Sequence, residues 1–315
     1  MPDQPLFLGI ISGDRRRTHA EVAERVARIA GGLDKLGVKQ GDSVCILMRN
    51  DIAFMEAAYA AMRLGAYGVP VNWHFKPEEI NYILKDSGTS VLIGHADMLH
   101  QLREAIPRGV TVLSVPTPSE ILATYKIDRE DLRTPDFAID FEPWLAGQAS
   151  YDGPLVPQPS NMIYTSGTTG NPKGVRRNAP TPEQSAAAER MRGMIYGLKP
   201  GARALLPGPL YHSAPNSFGL RAGRLGGALV IMARLTSGGQ GAAAWIMWRS
   251  DDMSYFLRTS AGSFISRMDM VGTMKMVSIF SASTTRKNSS ASKRGMIASA
   301  PPSRPARRPN EFGAE

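Results

Sequence analysis

Cysteine is almost absent from the chain, since Cys45 is the only one among 315 residues. An internal disulfide is therefore excluded, and the apolar run around Cys45 predicts a buried, inert thiol. Long apolar runs are also lacking, because no stretch reaches the roughly 18 residues of a membrane-spanning helix. Near the N-terminus the apolar residues precede the arginines, which is the reverse of a secretory signal. We expect a cytoplasmic protein without a membrane span.

Histidine is scarce as well, and the five histidines show no spacing typical of a metal site. The G-x-S-x-G turn that carries the nucleophile of many serine hydrolases is missing, so that class has no support. The composition, with 43% hydrophobic and 21% charged residues, is typical of a soluble globular protein. The sequence therefore predicts a folded domain with no metal site of its own.

The net charge of +9 comes mostly from the end of the chain. Residues 236–315 contain 11 of the 37 Lys and Arg residues but only 5 of the 28 Asp and Glu residues. These positive charges are scattered, without interleaved aromatic residues or an amphipathic stripe. We therefore expect no nucleic-acid partner, and a nucleic-acid binder is an alternative that depends on this tail alone.

Helix and strand signals alternate through the first two-thirds of the chain. A capping box at Thr18 and Glu21 opens a helix that ends near Gly37, and Asn50 is predicted to cap a second helix over 51–64. Strands are predicted at 43–48, 67–71, 90–94 and 110–115, and further helices at 77–88 and 96–106. This alternation predicts an α/β fold with a mainly parallel sheet flanked by helices. Residues 116–160 have weak periodicity and are interpreted as irregular.

The stretch TSGTTGNPKG at 165–174 is too polar to pack in a core, and a short strand at 162–164 leads into it. Its glycines permit positive φ angles, and successive free N–H groups in such a turn can form an anion nest. Hydroxyl side chains add donors, and Lys173 adds a positive charge. This combination favours a polyphosphate ligand. The stretch is not the common P-loop, because Gly174 follows the lysine where that motif has a hydroxyl residue.

The longer stretch YTSGTTGNPKGV resembles the phosphate loop of AMP-forming acyl-CoA synthetases, which belong to the adenylate-forming enzymes. Residues 18–50, 58–73 and 76–88 resemble the N-terminal subdomain of that family in the same order, and LLPGPLYHSAP at 205–215 resembles its second motif. The likeness extends over roughly residues 10–235. It implies that residues 1–235 form an incomplete N-terminal domain of the adenylate-forming fold.

The resemblance implies ATP-dependent activation of a carboxylic acid to acyl-AMP and then to acyl-CoA, with ATP, Mg²⁺ and CoA as reactants. Within the family, the sequences VNWHFKPEE and PLYHSAPN resemble most those of CoA ligases for fatty acids or sterol side-chain acids. The resemblance places Tyr211 and His212 near the carboxylate and the adenylate. The residues that it assigns to the β- and γ-phosphates are Thr165, Ser166, Gly167, Thr168, Thr169, Gly170 and Lys173.

The family's downstream motifs have no counterpart after residue 235, and these include the C-terminal lysine that contacts the reacting carboxylate. The catalytic residue is therefore unassigned. Residues 236–315 form a divergent tail that could be a disordered extension, a novel folded segment or the product of a frameshift. We favour the frameshift, because the likeness stops abruptly inside a subdomain.

Two functional hypotheses remain from the sequence. In the first, the chain is an acyl-CoA ligase by ancestry, impaired unless another chain supplies the missing part. In the second, it is a non-catalytic remnant with at most weak ATP or acyl binding. A domain cut part-way through also leaves apolar faces and a strand edge uncovered, so we expect a product that aggregates readily.

Overall fold

The computed structural model describes residues 7–127, 132–154, 156–159, 161–165 and 172–234, together with the backbone of 264–268 and 274–278. The strands are β1 (Gly9–Ser12), β2 (Arg15–Thr18), β3 (Ser43–Leu47), β4 (Tyr67–Pro70), β5 (Val91–His95), β6 (Thr111–Val115), β7 (Ile139–Asp140), β8 (Tyr164–Thr165), β9 (Lys173–Gly174), β10 (Arg203–Leu206), β11 (Ala228–Ile231), β12 (Phe264–Met268) and β13 (Met274–Ser278). The helices are α1 (His19–Lys35), α2 (Ile52–Arg63), α3 (Pro77–Asp86), α4 (Ala96–Leu99), α5 (Ser119–Tyr125), α6 (Phe141–Ala146), α7 (Pro182–Tyr196) and α8 (Ser213–Ala222), with a 3₁₀ helix at His100–Ala105.

Two sheets organise the described residues. The five-stranded sheet has the order β4-β3-β5-β6-β7 and is parallel throughout. The four-stranded sheet has the order β10-β11-β1-β2, and only its β1–β2 pair is antiparallel. Parallel strands covered on both faces are apolar along their whole length, and every residue of β3 is buried. The predicted α/β fold with a mainly parallel sheet is confirmed.

The core follows from the alternation of side chains along the strands. In β3, Val44 and Ile46 join a hydrophobic cluster that includes residues of α1, α2 and both sheets. Cys45 and Leu47 point the other way, into a second cluster that α3 helps to close. The predicted buried thiol is confirmed, and burial raises the pKa of Cys45 to about 11, which keeps it protonated.

Helix α2 is the most deeply buried helix segment of the first cluster, with residues 52–61 all buried. It has 12 residues. Among the described residues, no helix is long enough and apolar enough to cross a membrane.

The helix starts confirm one prediction and correct another. At α1 the capping box is present, because the Thr18 N–H donates to Glu21 at 2.7 Å and the Glu21 N–H donates to the Thr18 hydroxyl at 3.2 Å. At α2 the predicted cap was Asn50, but Asp51 caps the helix instead, accepting from the Ile52 N–H at 2.6 Å. The Asn50 amide instead contacts backbone groups just after β10 and β11, far away in sequence.

Asp51 also belongs to a buried polar network. Its carboxylate accepts from the Arg15 guanidinium at 2.5 Å and lies 3.1 Å from His95 Nε2. Arg15 in turn donates to Glu120 of α5. Opposite charges and hydrogen bonds around a carboxylate favour its ionised form, and these contacts hold the pKa of Asp51 below its usual value despite burial. The network ties the β1–β2 hairpin to the five-stranded sheet.

Several predicted elements differ in detail from the structure. The region 116–160, interpreted as irregular, contains α5, β7 and α6, which are too short to show a clear period. The helix expected over 96–106 is a turn of α-helix followed by a 3₁₀ helix. The strand expected at 162–164 begins two residues later, at Tyr164.

The predicted tail, 236–315, lies outside the described residues except for β12 and β13. Their backbones pair antiparallel, with Phe264 opposite Ser278 and Met268 opposite Met274. The division at residue 235 stays a prediction.

Helix α7 exposes an apolar face. It has no buried residue, and Met191, Met194 and Ile195 are all at least half exposed, with Met194 at 70%. Contiguous exposed apolar side chains favour association between molecules.

We therefore expect the double change Met191→Gln and Met194→Gln to reduce aggregation of the full chain. Static light scattering during concentration of the purified protein measures this effect. Ala186→Gln adds the same amide at an exposed position of α7 outside this group and serves as the control. Equal scattering from the double variant and the unchanged chain would contradict the assignment of the face.

Candidate functional site

The two ends of the glycine-rich stretch lie on short paired strands. Strand β8 pairs antiparallel with β9, so that Tyr164 is opposite Gly174 and Thr165 is opposite Lys173. The structure thus brings together Thr165 and Lys173, the first and last of the predicted phosphate-binding residues, and both are exposed. The predicted residues between them, 166–170, lie outside the described residues. We call β8 and β9 the loop hairpin.

The two strands of the loop hairpin fit closely because of Gly174. A Cβ atom on Gly174 would lie 2.6 Å from ring carbons of Tyr164, which no ordinary contact allows. The Tyr164 hydroxyl donates to Asp86 at the end of α3, at 2.5 Å. Burial, together with the neighbouring Asp86 carboxylate, raises the pKa of Tyr164, so this hydroxyl stays protonated and remains a donor.

The second predicted motif connects β10 to α8. Tyr211 and His212 lie in the turn before α8, where Tyr211 is half-buried and His212 is exposed. Asn216, in the first turn of α8, donates to the Leu210 carbonyl at 2.8 Å and accepts from Asn161 at 3.0 Å. Asn161 comes four residues before the loop hairpin's Thr165. This amide pair brings the two motifs into one region of the molecule.

Asn50 holds the same turn from the side of the five-stranded sheet. Its amide nitrogen donates to the carbonyls of Gly208, at 2.8 Å, and Met232, at 3.0 Å. Its amide oxygen accepts from the Leu210 N–H at 2.8 Å. Asn50 is 5% exposed and follows the carboxyl end of β3, the edge at which open α/β sheets form their ligand sites.

Aromatic rings from three segments of the chain meet beside this turn. We call them the aromatic wall, which consists of Trp73, His74, Tyr125, Tyr211 and His212. Trp73 stacks on His74 with ring centroids 3.6 Å apart, and Tyr211 packs on His212 with centroids 4.4 Å apart. Trp73 meets Tyr211 edge-on at 6.3 Å and Tyr125 edge-on at 5.4 Å. The two edge-on distances are typical of favourable aromatic pairs.

Arginines reinforce the aromatic wall. The Arg49 guanidinium lies 5.2 Å from the ring centre of Trp73 and 4.6 Å from that of Tyr125. Asp97 holds it with a 2.7 Å ion pair in which both side chains are almost fully buried. The Arg234 guanidinium lies 5.7 Å from the ring centre of Tyr125, so this ring contacts both arginines.

The electrostatics of the wall favour a negatively charged ligand. Partial burial and the positive charges of Arg49 and Arg234, with a contribution from His212, lower the pKa of His74 below its ordinary value. A neutral imidazole can accept a hydrogen bond. Because Asp97 balances the charge of Arg49, Arg234 is the arginine whose charge can attract an anion here. This arrangement suits a carboxylate attached to an apolar group.

The sequence predicted Tyr211 and His212 but did not predict the rest of the wall. Trp73 and His74 come three and four residues after the end of β4, so their place after a predicted strand was the available signal. Arg49 likewise follows a predicted strand, 43–48, whereas Tyr125 carries no local signal of a site, because its contacts join segments far apart in the chain.

Known proteins are similar to this chain in sequence and in fold. The family model described as AMP-binding enzyme matches residues 1–247. The chain belongs to this family. Among curated AMP-binding relatives, the rice protein 4-coumarate–CoA ligase 2 is 32% identical over 250 residues, which cover 76% of this chain and 42% of the relative. Long-chain-fatty-acid–CoA ligase FadD13 of Mycobacterium tuberculosis is 34% identical over 207 residues, which cover 64% of this chain and 37% of the relative.

Solved structures show the same fold. The N-terminal domain of FACL13 from Mycobacterium tuberculosis matches with a TM-score of 0.55 and 25% identity, over 74% of this chain and 54% of that structure. A benzoate CoA ligase from Burkholderia xenovorans matches with a TM-score of 0.57 and 18% identity, over 73% of this chain and 43% of that structure. The chain spans about two fifths of the length of the curated relatives that it matches.

Proposed function

We propose that the chain carries the phosphate-loop portion of an AMP-forming acyl-CoA ligase. In the reaction, a carboxylate oxygen attacks the α-phosphorus of Mg·ATP, giving acyl-AMP and pyrophosphate. The CoA thiol then attacks the acyl carbon, AMP leaves, and the thiol proton passes to solvent. The observation that carries the proposal is the Asn161–Asn216 bond, because it joins the segment before the loop hairpin to the turn that holds Tyr211 and His212.

The residues have separate roles in this proposal. The residues that bind the β- and γ-phosphates are Thr165, Ser166, Gly167, Thr168, Thr169, Gly170 and Lys173. Tyr211 and His212 border the carboxylate and the adenylate. Transfer at phosphorus depends mainly on positioning the reactants and on neutralising charge. The hydroxyl and N–H donors of the stretch position the departing pyrophosphate, and the Lys173 ammonium neutralises part of its charge.

We propose a fatty acid or a sterol side-chain acid as the acyl substrate. The sequences VNWHFKPEE and PLYHSAPN support this class of substrate, as does the 34% identity to the long-chain-fatty-acid–CoA ligase. The 32% identity to the 4-coumarate–CoA ligase favours an aromatic acid instead. Palmitate, a cholesterol side-chain acid and 4-coumarate, compared as substrates, separate these classes.

The first test asks whether the full chain binds Mg·ATP and whether added acids release pyrophosphate. We expect measurable ATP binding, with pyrophosphate release impaired in the chain alone. The alternative is a non-catalytic remnant, and sustained acid-dependent release would overturn it. Absence of ATP binding would overturn the assignment of the phosphate site itself.

We predict that Lys173→Ala weakens Mg·ATP binding about tenfold, which corresponds to about 1.4 kcal/mol. The reason is the loss of a charge-assisted contact to phosphate. Isothermal titration calorimetry measures the change. Lys85→Ala removes the same charge from an exposed position of α3 and is expected to leave the affinity unchanged. Equal losses in the two variants would indicate a general effect of charge rather than a contact.

A further inference from the structure

The loop hairpin is followed by an arginine that turns back onto the five-stranded sheet. The Arg176 Nη2 group donates to the Ser87 carbonyl at 2.6 Å and lies 3.2 Å from the Ser43 hydroxyl. Its Nη1 group donates to the Gly41 carbonyl at 3.4 Å. Among the described residues, no carboxylate forms an ion pair with Arg176. The guanidinium is thus held by oxygen atoms at the start of β3 and the end of α3.

Tyr67 of β4 completes this attachment. Its ring lies 5.6 Å from the Arg176 guanidinium, and its hydroxyl donates to the carbonyl of the next residue, Arg177, at 2.9 Å. Tyr67 is 8% exposed and belongs to the edge strand of the sheet. A nearly buried tyrosine therefore fixes the main chain three residues beyond Gly174.

Both arms of the loop hairpin meet the same end of α3. The arm before the glycine-rich stretch contacts Asp86 through Tyr164, and the arm after it contacts Ser87 through Arg176. The carboxyl end of a helix carries partial negative charge on its free carbonyls, which favours a guanidinium at this position. The two attachments restrain the ends of the stretch between them.

We propose that Arg176 is a positioning residue that holds the phosphate-binding stretch in place for ATP, with Tyr164 in the same role on the opposite arm. This inference rests on the proposed function. We assign Arg176 to the support of the stretch rather than to phosphate, because both of its Nη groups donate to oxygen atoms at the start of β3 and the end of α3. It acts on ATP affinity by holding the second arm of the loop hairpin in a fixed position, as the supporting residues of preorganised sites do.

The chain supplies a matched control beside Arg176. Arg177→Gln removes the same charge one residue away, and Arg177 contributes only its main-chain carbonyl to the attachment. We expect Arg176→Gln to raise the dissociation constant for Mg·ATP about fivefold and Arg177→Gln to change it less than twofold, as measured by calorimetry on the full chain. Arg176→Lys keeps the charge and is expected to restore part of the affinity. Equal weakening by both glutamine variants would overturn the proposal.

Limited digestion with a lysine-specific protease gives a readout that does not depend on ATP. Cleavage after Lys173 is expected to accelerate severalfold in Arg176→Gln and in Tyr164→Phe, while Arg177→Gln behaves like the unchanged chain. Thermal unfolding of each variant identifies a general loss of stability. If the unchanged chain binds no ATP, the proposed function fails, and the digestion still decides the positioning role. Unaltered cleavage after Lys173 in both variants would overturn that role.

Discussion

Glu56→Ala is expected to lower the free energy of unfolding by about 3–5 kcal/mol, the usual cost of breaking a buried ion pair. Glu56 lies in the middle of α2 and is fully buried. Its carboxylate accepts from Arg17 at 2.7 Å and from Arg25 at 2.9 Å. Burial raises the pKa of Glu56 to about 8, but two guanidinium groups at these distances favour its ionised form. Removing it leaves two guanidinium groups without their shared partner beside the main core, since both arginines are mostly buried.

Glu142 supplies the control for this change. It pairs with the same Arg25, at 2.7 Å, but its side chain is 45% exposed. Glu142→Ala is therefore expected to cost less than about 1 kcal/mol, as exposed ion pairs do. Urea unfolding followed by circular dichroism compares the two midpoints. Similar midpoint shifts in both variants would contradict the view that burial decides the cost. Glu56→Gln keeps a hydrogen-bond acceptor, so its midpoint should lie between those of the two alanine variants.

The Glu56 contacts also explain why part of the fold could not be predicted from the sequence. Strand β2 reads Arg-Arg-Arg-Thr, a pattern that does not indicate a strand. It pairs with β1 because Arg17 meets Glu56 and Arg15 meets Asp51, partners 39 and 36 positions away along the chain. Local propensity carries no information about such partners.

The elements that could be predicted have local causes. Helix α1 follows from the capping box at Thr18 and from its stripe of apolar residues, of which Val22, Ile29 and Leu33 are buried. The strand β3 follows from its unbroken apolar run. The same distinction holds in the site: the motif around Tyr211 and His212 is contiguous in sequence, whereas the other rings of the aromatic wall come from separate segments.

For Asn50, the sequence predicted the helix α2 correctly but assigned the residue the wrong role. Its position before α2 made it a reasonable cap, since asparagine is a common first residue at helix starts. Asp51 can serve as the cap alone, but no neighbour in sequence provides the three backbone groups that Asn50 contacts. Those groups belong to residues 158–182 positions further along the chain.

Asn50→Asp is expected to lower the free energy of unfolding by about 3 kcal/mol. The change keeps the shape of the side chain and the oxygen that accepts from the Leu210 N–H. It removes both donors, so the carbonyls of Gly208 and Met232 lose their partner and face a buried carboxylate. A buried acceptor without a partner costs about 1–3 kcal/mol, and an added buried charge increases that cost.

Asn178→Asp makes the same chemical change at an exposed position and should alter stability by less than about 0.5 kcal/mol. Equal urea midpoints for the two variants would contradict the role of Asn50.

Asn50 and Arg176 hold different parts of the site, so their variants should also differ in the property that they change. Asn50→Asp acts on the turn of Tyr211 and His212 and on stability, whereas Arg176→Gln acts on the loop hairpin and on ATP affinity. Stability and affinity, measured for both variants, therefore test whether the two motifs are supported independently before a ligand joins them.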